Sequence, residues 1–178
     1  MKKLFLGAVM MVAAAIEVAA TESPYTGQED RGIKALSQQE IQGYLDGSGM
    51  GYAKAAELNE FPGPKHVLDL AGELALTHEQ TKRTQALHET MKSRAVVLGR
   101  KIVEKETELD EKFADGSIDP SSLEKLITEI ALLEAHIRHV HLNAHLEQKA
   151  LLDDRQIRRY VQLRGYQPAH SNKHGHSH

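Results

Sequence analysis

Histidine is the residue type with the clearest chemical potential: 11 of the 178 residues are His, and the chain has no Cys and no Trp. Imidazole nitrogens suit borderline transition ions, while the lack of Cys removes thiol catalysis, disulfides, thiolate zinc centres and Cys-ligated iron–sulfur clusters. Four histidines, His136, His139, His141 and His145, crowd one short stretch. At about 100° per helical residue they cannot share one face. His141 and His145 lie one turn apart on one flank of the helix, with Glu134 on that same flank. His136 falls on the other side and His139 points nearly away. Two imidazoles at i and i+4 can share an ion; the same spacing also suits solvated imidazoles bordering a helix seam. The C-terminus repeats the chemistry, because His170, His174, His176 and His178 lie in a short polar tail that could wrap Cu or Zn.

These residues need elements to hold them. Ser37 with Glu40 reads as a capping box that opens a short helix to about Leu45. Gly47, Gly49 and Gly51 interrupt it before a helical stretch at Met50–Leu58. Phe61-Pro62-Gly63-Pro64 is a stop, and a helix of about ten residues is expected from Pro64. Thr77 with Gln80 caps a long helix whose stripe of Leu87, Met91, Leu98, Ile102, Leu109 and Phe113 runs to about Ala114. Asp115-Gly116-Ser117 turns the chain, and Asp119-Pro120 starts a second long helix. There Leu123, Leu126, Ile130, Leu133, Ile137, Val140 and Ala144 alternate steps of three and four, a seam that demands a partner. Asp153 with Gln156 caps a last helix ending near Leu163. No stretch alternates with a period of two for long enough to read as a strand. The expected fold is all-α, a long antiparallel helical hairpin braced by shorter helices.

A turn centred near residues 116–117 places His88 level with His145, and Met91 near His141. If the flanks lie on one side of the hairpin, His88, His141 and His145 supply three nitrogens, with Glu134 or Met91 as a fourth ligand. Such a set fits Zn, Ni, Co or Cu(II), and a Met thioether would favour Cu(I). His66 and His78 stand alone near helix starts, where surface or capping roles suit them.

At the N-terminus, Lys2 and Lys3 precede an apolar run from Leu4 to Ile16, shorter than the about 20 residues a membrane span needs. Val18-Ala19-Ala20 suits signal-peptidase cleavage, so residues 1–20 are expected to be a signal peptide that directs export, with no stable membrane span once it is removed. Residues 21–36 read as a flexible leader, 37–166 as one helical domain and 167–178 as the His-rich flexible tail.

Leu76-Thr77-His78-Glu79-Gln80 resembles the Leu-Thr-x-x-Gln motif of the Spy/CpxP/ZraP/CnrX family of periplasmic stress and heavy-metal-resistance proteins. Leu152-Asp153-Asp154-Arg155-Gln156 resembles its second copy, with Asp keeping an N-cap oxygen where the family has Thr. The likeness covers roughly residues 36–166. It implies a thin, curved, four-helix periplasmic protein, usually a homodimer, induced by envelope or metal stress. Family members divide between ATP-independent chaperones, with unfolded envelope proteins as partners, and metal sensors or buffers; some are thought to inhibit a sensor kinase. The first His pair of the sensor site in CnrX-type proteins has no counterpart alignable here.

Other chemistry finds little support. The net charge of −3 gives no basic field for nucleic acid. The acidic run Glu104–Glu111, interleaved with lysines, reads as a solvated face with helical charge pairs. The Gly47–Gly51 glycines follow no strand, so they do not form a phosphate loop. No nucleophile turn accompanies a Ser-His-Asp set. The expectation is a non-enzymatic protein with no organic cofactor, binding a transition-metal ion as sensor or buffer, or else acting as a chaperone that shields unfolded chains.

Overall fold

Helix starts are set by side chains that satisfy the orphan N–H groups of the first turn, and four capping boxes do this here. A computed structural model describes residues 22–166, all helix, turn and loop. Ser37 and Glu40 open α1 (Gln38–Asp46). Next come the short α2 (Lys54–Glu57) and α3 (Pro64–Asp69), the latter with Pro at its first position. Thr77 and Gln80 open α4 (His78–Ala114), Asp119 and Ser122 open α5 (Pro120–Leu151), and Asp153 and Gln156 open α6 (Asp154–Leu163).

α4 and α5 run antiparallel. Near the turn, Lys105 Nζ meets Glu129 Oε2 at 3.1 Å; at the open end, Gln80 Nε2 donates to Leu151 O at 2.8 Å. The α5 seam is buried at Leu126, Ile130, Ile137 and Ala144. Of the expected α4 stripe Ile102 is fully buried, but Leu87, Met91, Leu98 and Leu109 are half-buried and Phe113 is 57% exposed, whereas Thr84, Ala95 and Gly99 are buried outside it. α1 is the cause, because it also packs on α4 and needs small residues there. A Cβ on Gly99 would strike the Tyr44 backbone. Gly47, in the left-handed conformation at φ 64°, lies against Ala95 and the Lys92 carbonyl.

Two expected boundaries shift. α2 is only four residues long, since Met50 (φ 42°) and Gly51 (φ 82°) are left-handed and cannot belong to a right-handed helix. α3 stops after six residues at Leu70. The expected leader is also shorter: Ile33 and Leu36 are buried with Tyr44, Ala95, Ile102 and Ile137, and Lys34 pairs with Asp110 at 3.1 Å. Apolar burial therefore begins before the first helix. Residues 22–30 belong to a separate unit and form turns, with Thr26 N donating to Ser23 O. Residues 1–20 and 167–178 lie outside the described residues. Among the described residues no helix is long and apolar enough to cross a membrane.

A second apolar cluster joins the short elements to α6. Val67, Leu74 and Tyr160 are its buried centre, ringed by Leu70, Leu76, Leu152, Leu163 and Tyr166. The two Gln residues of the α4 and α6 capping boxes also bond each other, at 2.9 Å from Gln80 Nε2 to Gln156 Oε1. The caps thus tie two helix starts together as well as ending each one.

Candidate functional site

One turn of α5 carries His141 and His145 to the same buried face, at 3% and 8% exposure. Each ring meets a different part of the chain before α3. His141 stacks on Tyr52, with ring centroids 5.9 Å apart and planes 16° from parallel. Its Nε2 is buried and has no hydrogen-bond partner. Burial, and secondarily the nearby His145, pushes the His141 pKa down, so the ring is neutral at pH 7 with a free lone pair.

His145 Nδ1 lies 2.7 Å from Phe61 O. A carbonyl only accepts, so Nδ1 carries the proton and Nε2 carries the lone pair. Gly63 closes over that second nitrogen: a Cβ there would lie 3.0 Å from Nε2 and 2.9 Å from Cε1. Lys149 Nζ sits 3.8 Å above the Phe61 ring and helps to hold the segment that supplies the carbonyl.

Glu57 completes the cluster, and neither its spacing nor its context singles it out in the sequence. Its Oε2 lies 3.7 Å from His145 Nδ1 and is buried without a hydrogen-bond partner. Its Oε1 accepts from Tyr160 OH at 2.5 Å and Tyr166 OH at 3.0 Å, and pairs with Arg164 Nε at 3.3 Å. The Arg164 contact is a charge pair without hydrogen-bond alignment, since its Nε counts as unpartnered. Burial, and then the bond to Glu57, raises the Tyr160 pKa and keeps the phenol protonated. The signal that could have found Glu57 is the string of Tyr160, Arg164 and Tyr166, one carboxylate short of a satisfied cluster.

The remaining expected ligands lie in other surroundings. Glu134 accepts from Tyr44 OH at 3.4 Å, and Tyr52 OH donates to Tyr44 OH at 3.1 Å, so Glu134 is linked to the ring on His141 rather than to its nitrogens. His88 is half-buried; burial first, then Lys92 and Lys65, pushes its pKa down, with Asp69 among its charged neighbours. Met91 and His139 both line the groove between α4 and α5, with Val140 and Ala144. His136 is exposed. His66 Nδ1 faces Asp69 Oδ2 at 3.5 Å, and His78 is the exposed first residue of α4. His170, His174, His176 and His178 lie outside the described residues.

Among the described residues no three His, Asp or Glu side chains are grouped to hold a common ion. What is present is a pair of imidazoles, whose nitrogens suit Zn, Ni or Co, with the Glu57 carboxylate 3.7 Å from the protonated Nδ1 of His145. His141 Nε2 and Glu57 Oε2 are among the buried polar atoms that have no hydrogen-bond partner.

No protein-family model, curated protein or solved structure matches the chain.

Proposed function

We propose that the protein is a non-enzymatic, periplasmic metal-binding stress protein of the Spy/CpxP kind, which senses or buffers a divalent transition ion through His141 and His145. The observation that carries this reading is the buried His141 ring, one turn from His145, with an unpartnered Nε2. A neutral imidazole buried without a partner sacrifices a hydrogen bond worth on the order of 1 kcal/mol, and an ion would restore that loss. Glu57, with Oε2 3.7 Å from His145 Nδ1, takes the place proposed for Glu134 as the carboxylate beside the pair. The histidines at 170–178 supply a separate, weaker site. The protein acts as a homodimer, as the Leu-Thr-x-x-Gln likeness implies. Calorimetric titration with Zn, Ni and Co tests the reading. A site of one ion per chain that survives replacement of the four tail histidines by Ala, and is lost in His141→Ala, supports it. Heat that vanishes with the tail histidines overturns it.

A second reading, an ATP-independent chaperone, is favoured by a different observation. Large apolar side chains stand exposed along the hairpin, Val97 at 56%, Leu132 at 55% and Leu146 at 55%. Between the helices lies an open groove floored by Leu87, Met91, Val140 and Ala144 and edged by Arg83 and Arg94. Such a surface suits apolar segments of unfolded chains. Suppression of aggregation of an unrelated unfolded protein in the presence of a chelator supports this reading; loss of that activity on chelation returns the function to the metal.

A further inference from the structure

The segment from Met50 to Gly63 lies across both imidazoles, fixed at buried Ala53, Pro62 and Gly63 and through Glu57, with an exposed stretch between them. α2, its one helix, contains no buried residue, and Leu58 beside it is 51% exposed. Two residues other than glycine, Met50 (φ 42°) and Glu60 (φ 64°), hold left-handed backbone, each at a cost of about 1 kcal/mol. Gly47, also left-handed, precedes the segment, left-handed Gly51 lies near its start, and Gly63 ends it where Pro64 begins α3. α3 itself is fixed by the Val67, Leu74 and Tyr160 cluster, so movement at Gly63 need not disturb it.

Every contact that this segment makes with the His pair blocks a ring. Tyr52 covers the face of His141, Phe61 O engages Nδ1 of His145, and Gly63 covers its Nε2. Beside the segment, His141 Nε2 is buried without a partner and carries a desolvation cost of about 1–3 kcal/mol that an ion or solvent reaching it would relieve. The tether that opposes opening is Glu57, held by Tyr160, Tyr166 and Arg164.

We propose that residues 50–63 form a strap that gates the His141–His145 pair: closed, it covers the face of the His141 ring and both nitrogens of His145, and a divalent transition ion binds the pair only when the strap has lifted. Metal binding then selects the open arrangement, and the apparent affinity is reduced by the small fraction of chains that are open. The proposal rests on the metal-binding reading and adds regulation of access to it. Glu57 has two roles in sequence, as the tether of the closed strap and as a carboxylate set free near the pair once Tyr160 and Tyr166 release it.

Imidazole acylation by diethyl pyrocarbonate, read by mass spectrometry, follows the mask without any metal. In the full chain, His141 and His145 should label at least about tenfold more slowly than exposed His136 and His139, as protected sites do when reaction requires opening. Gly63→Ala puts a methyl group against the His145 ring and should raise labelling of both buried histidines about tenfold, leaving His88 unchanged. Tyr166→Phe removes one tether and touches neither ring, so it should act in the same direction more weakly. Co(II) should bind both variants more tightly than the unaltered protein, Gly63→Ala by about tenfold. Three results overturn the gate. Equal labelling of His141 and His136 in the unaltered protein removes the mask. Faster labelling with unchanged Co(II) affinity separates the strap from the metal. Faster labelling with no Co(II) bound by any variant removes the metal-binding reading itself, and the gate's purpose with it.

Discussion

At the scale of single residues, the cluster around Glu57 is defined by which atom can donate and which can only accept. One carboxylate oxygen takes two phenols and faces a guanidinium, while the other is left beside an imidazole that has already given its proton to Phe61 O. Tyr160→Phe removes a nearly buried donor and should cost about 1–2 kcal/mol of unfolding free energy, measured by urea denaturation. The same substitution should leave the α4–α5 hairpin contacts intact, since Tyr160 bonds Glu57 and packs in the cluster with Val67 and Leu74. Glu106 offers a pH test away from the histidines. Burial first, and then Glu134, raises its pKa above the ordinary 4.5. A carboxyl raised in the folded state favours folding while protonated and loses that contribution as pH rises through the folded value. Glu106→Gln should therefore raise the Tm at pH 7, and its advantage should disappear below about pH 4.5, a crossing that a series of thermal melts would show. A gain that persists unchanged at low pH would assign the effect to something other than charge.

At the scale of elements, sequence pattern located the starts of α1, α4 and α6 because each begins with a side-chain acceptor three residues before its donor. Ser37 with Glu40, Thr77 with Gln80 and Asp153 with Gln156 all form the reciprocal bonds their spacing predicts. The α5 seam was legible for the same local reason. What was not legible depends on a third element. The burial of Ala95 and Gly99 in place of Leu87 and Phe113 follows from α1 lying on α4, and no spacing within α4 announces that neighbour. Nor does the sequence show that Met50 takes φ 42°, which shortens α2. The His pair was readable from its i, i+4 spacing, but Glu57 comes from a helix 84 residues before His141 in number, through tertiary packing alone. Two substitutions probe these joints. Gly99→Ala should displace α1 and cost about 1–3 kcal/mol, as overpacking does, visible as a lower urea midpoint. Gln156→Ala removes a cap and leaves Gln80 and the Leu74 carbonyl short of a partner, so it should cost about 2–3 kcal/mol.

At the scale of the whole molecule, the chain combines a long two-helix rod with a short layer that is firmly packed at α1 and α3 and weakly packed between them. Along the rod, Thr84, His141 and Gln148 are buried with polar atoms that lack partners. A fold selected for stability alone would fill such positions with apolar side chains, so Thr84→Val together with Gln148→Leu should stabilise the protein, read as a higher urea midpoint. The proposed metal function and the strap both depend on whether an ion reaches the nitrogens of α5 rather than only those of the tail. The most direct measurement is nitrogen-15 NMR of the imidazole rings during titration with Zn(II), in protein whose His170, His174, His176 and His178 have been replaced by Ala. The expected result is a large shift of ring nitrogens in His141 and His145 alone, complete at one ion per chain. Ring nitrogens of both residues that stay where they were at saturating Zn(II) would contradict it.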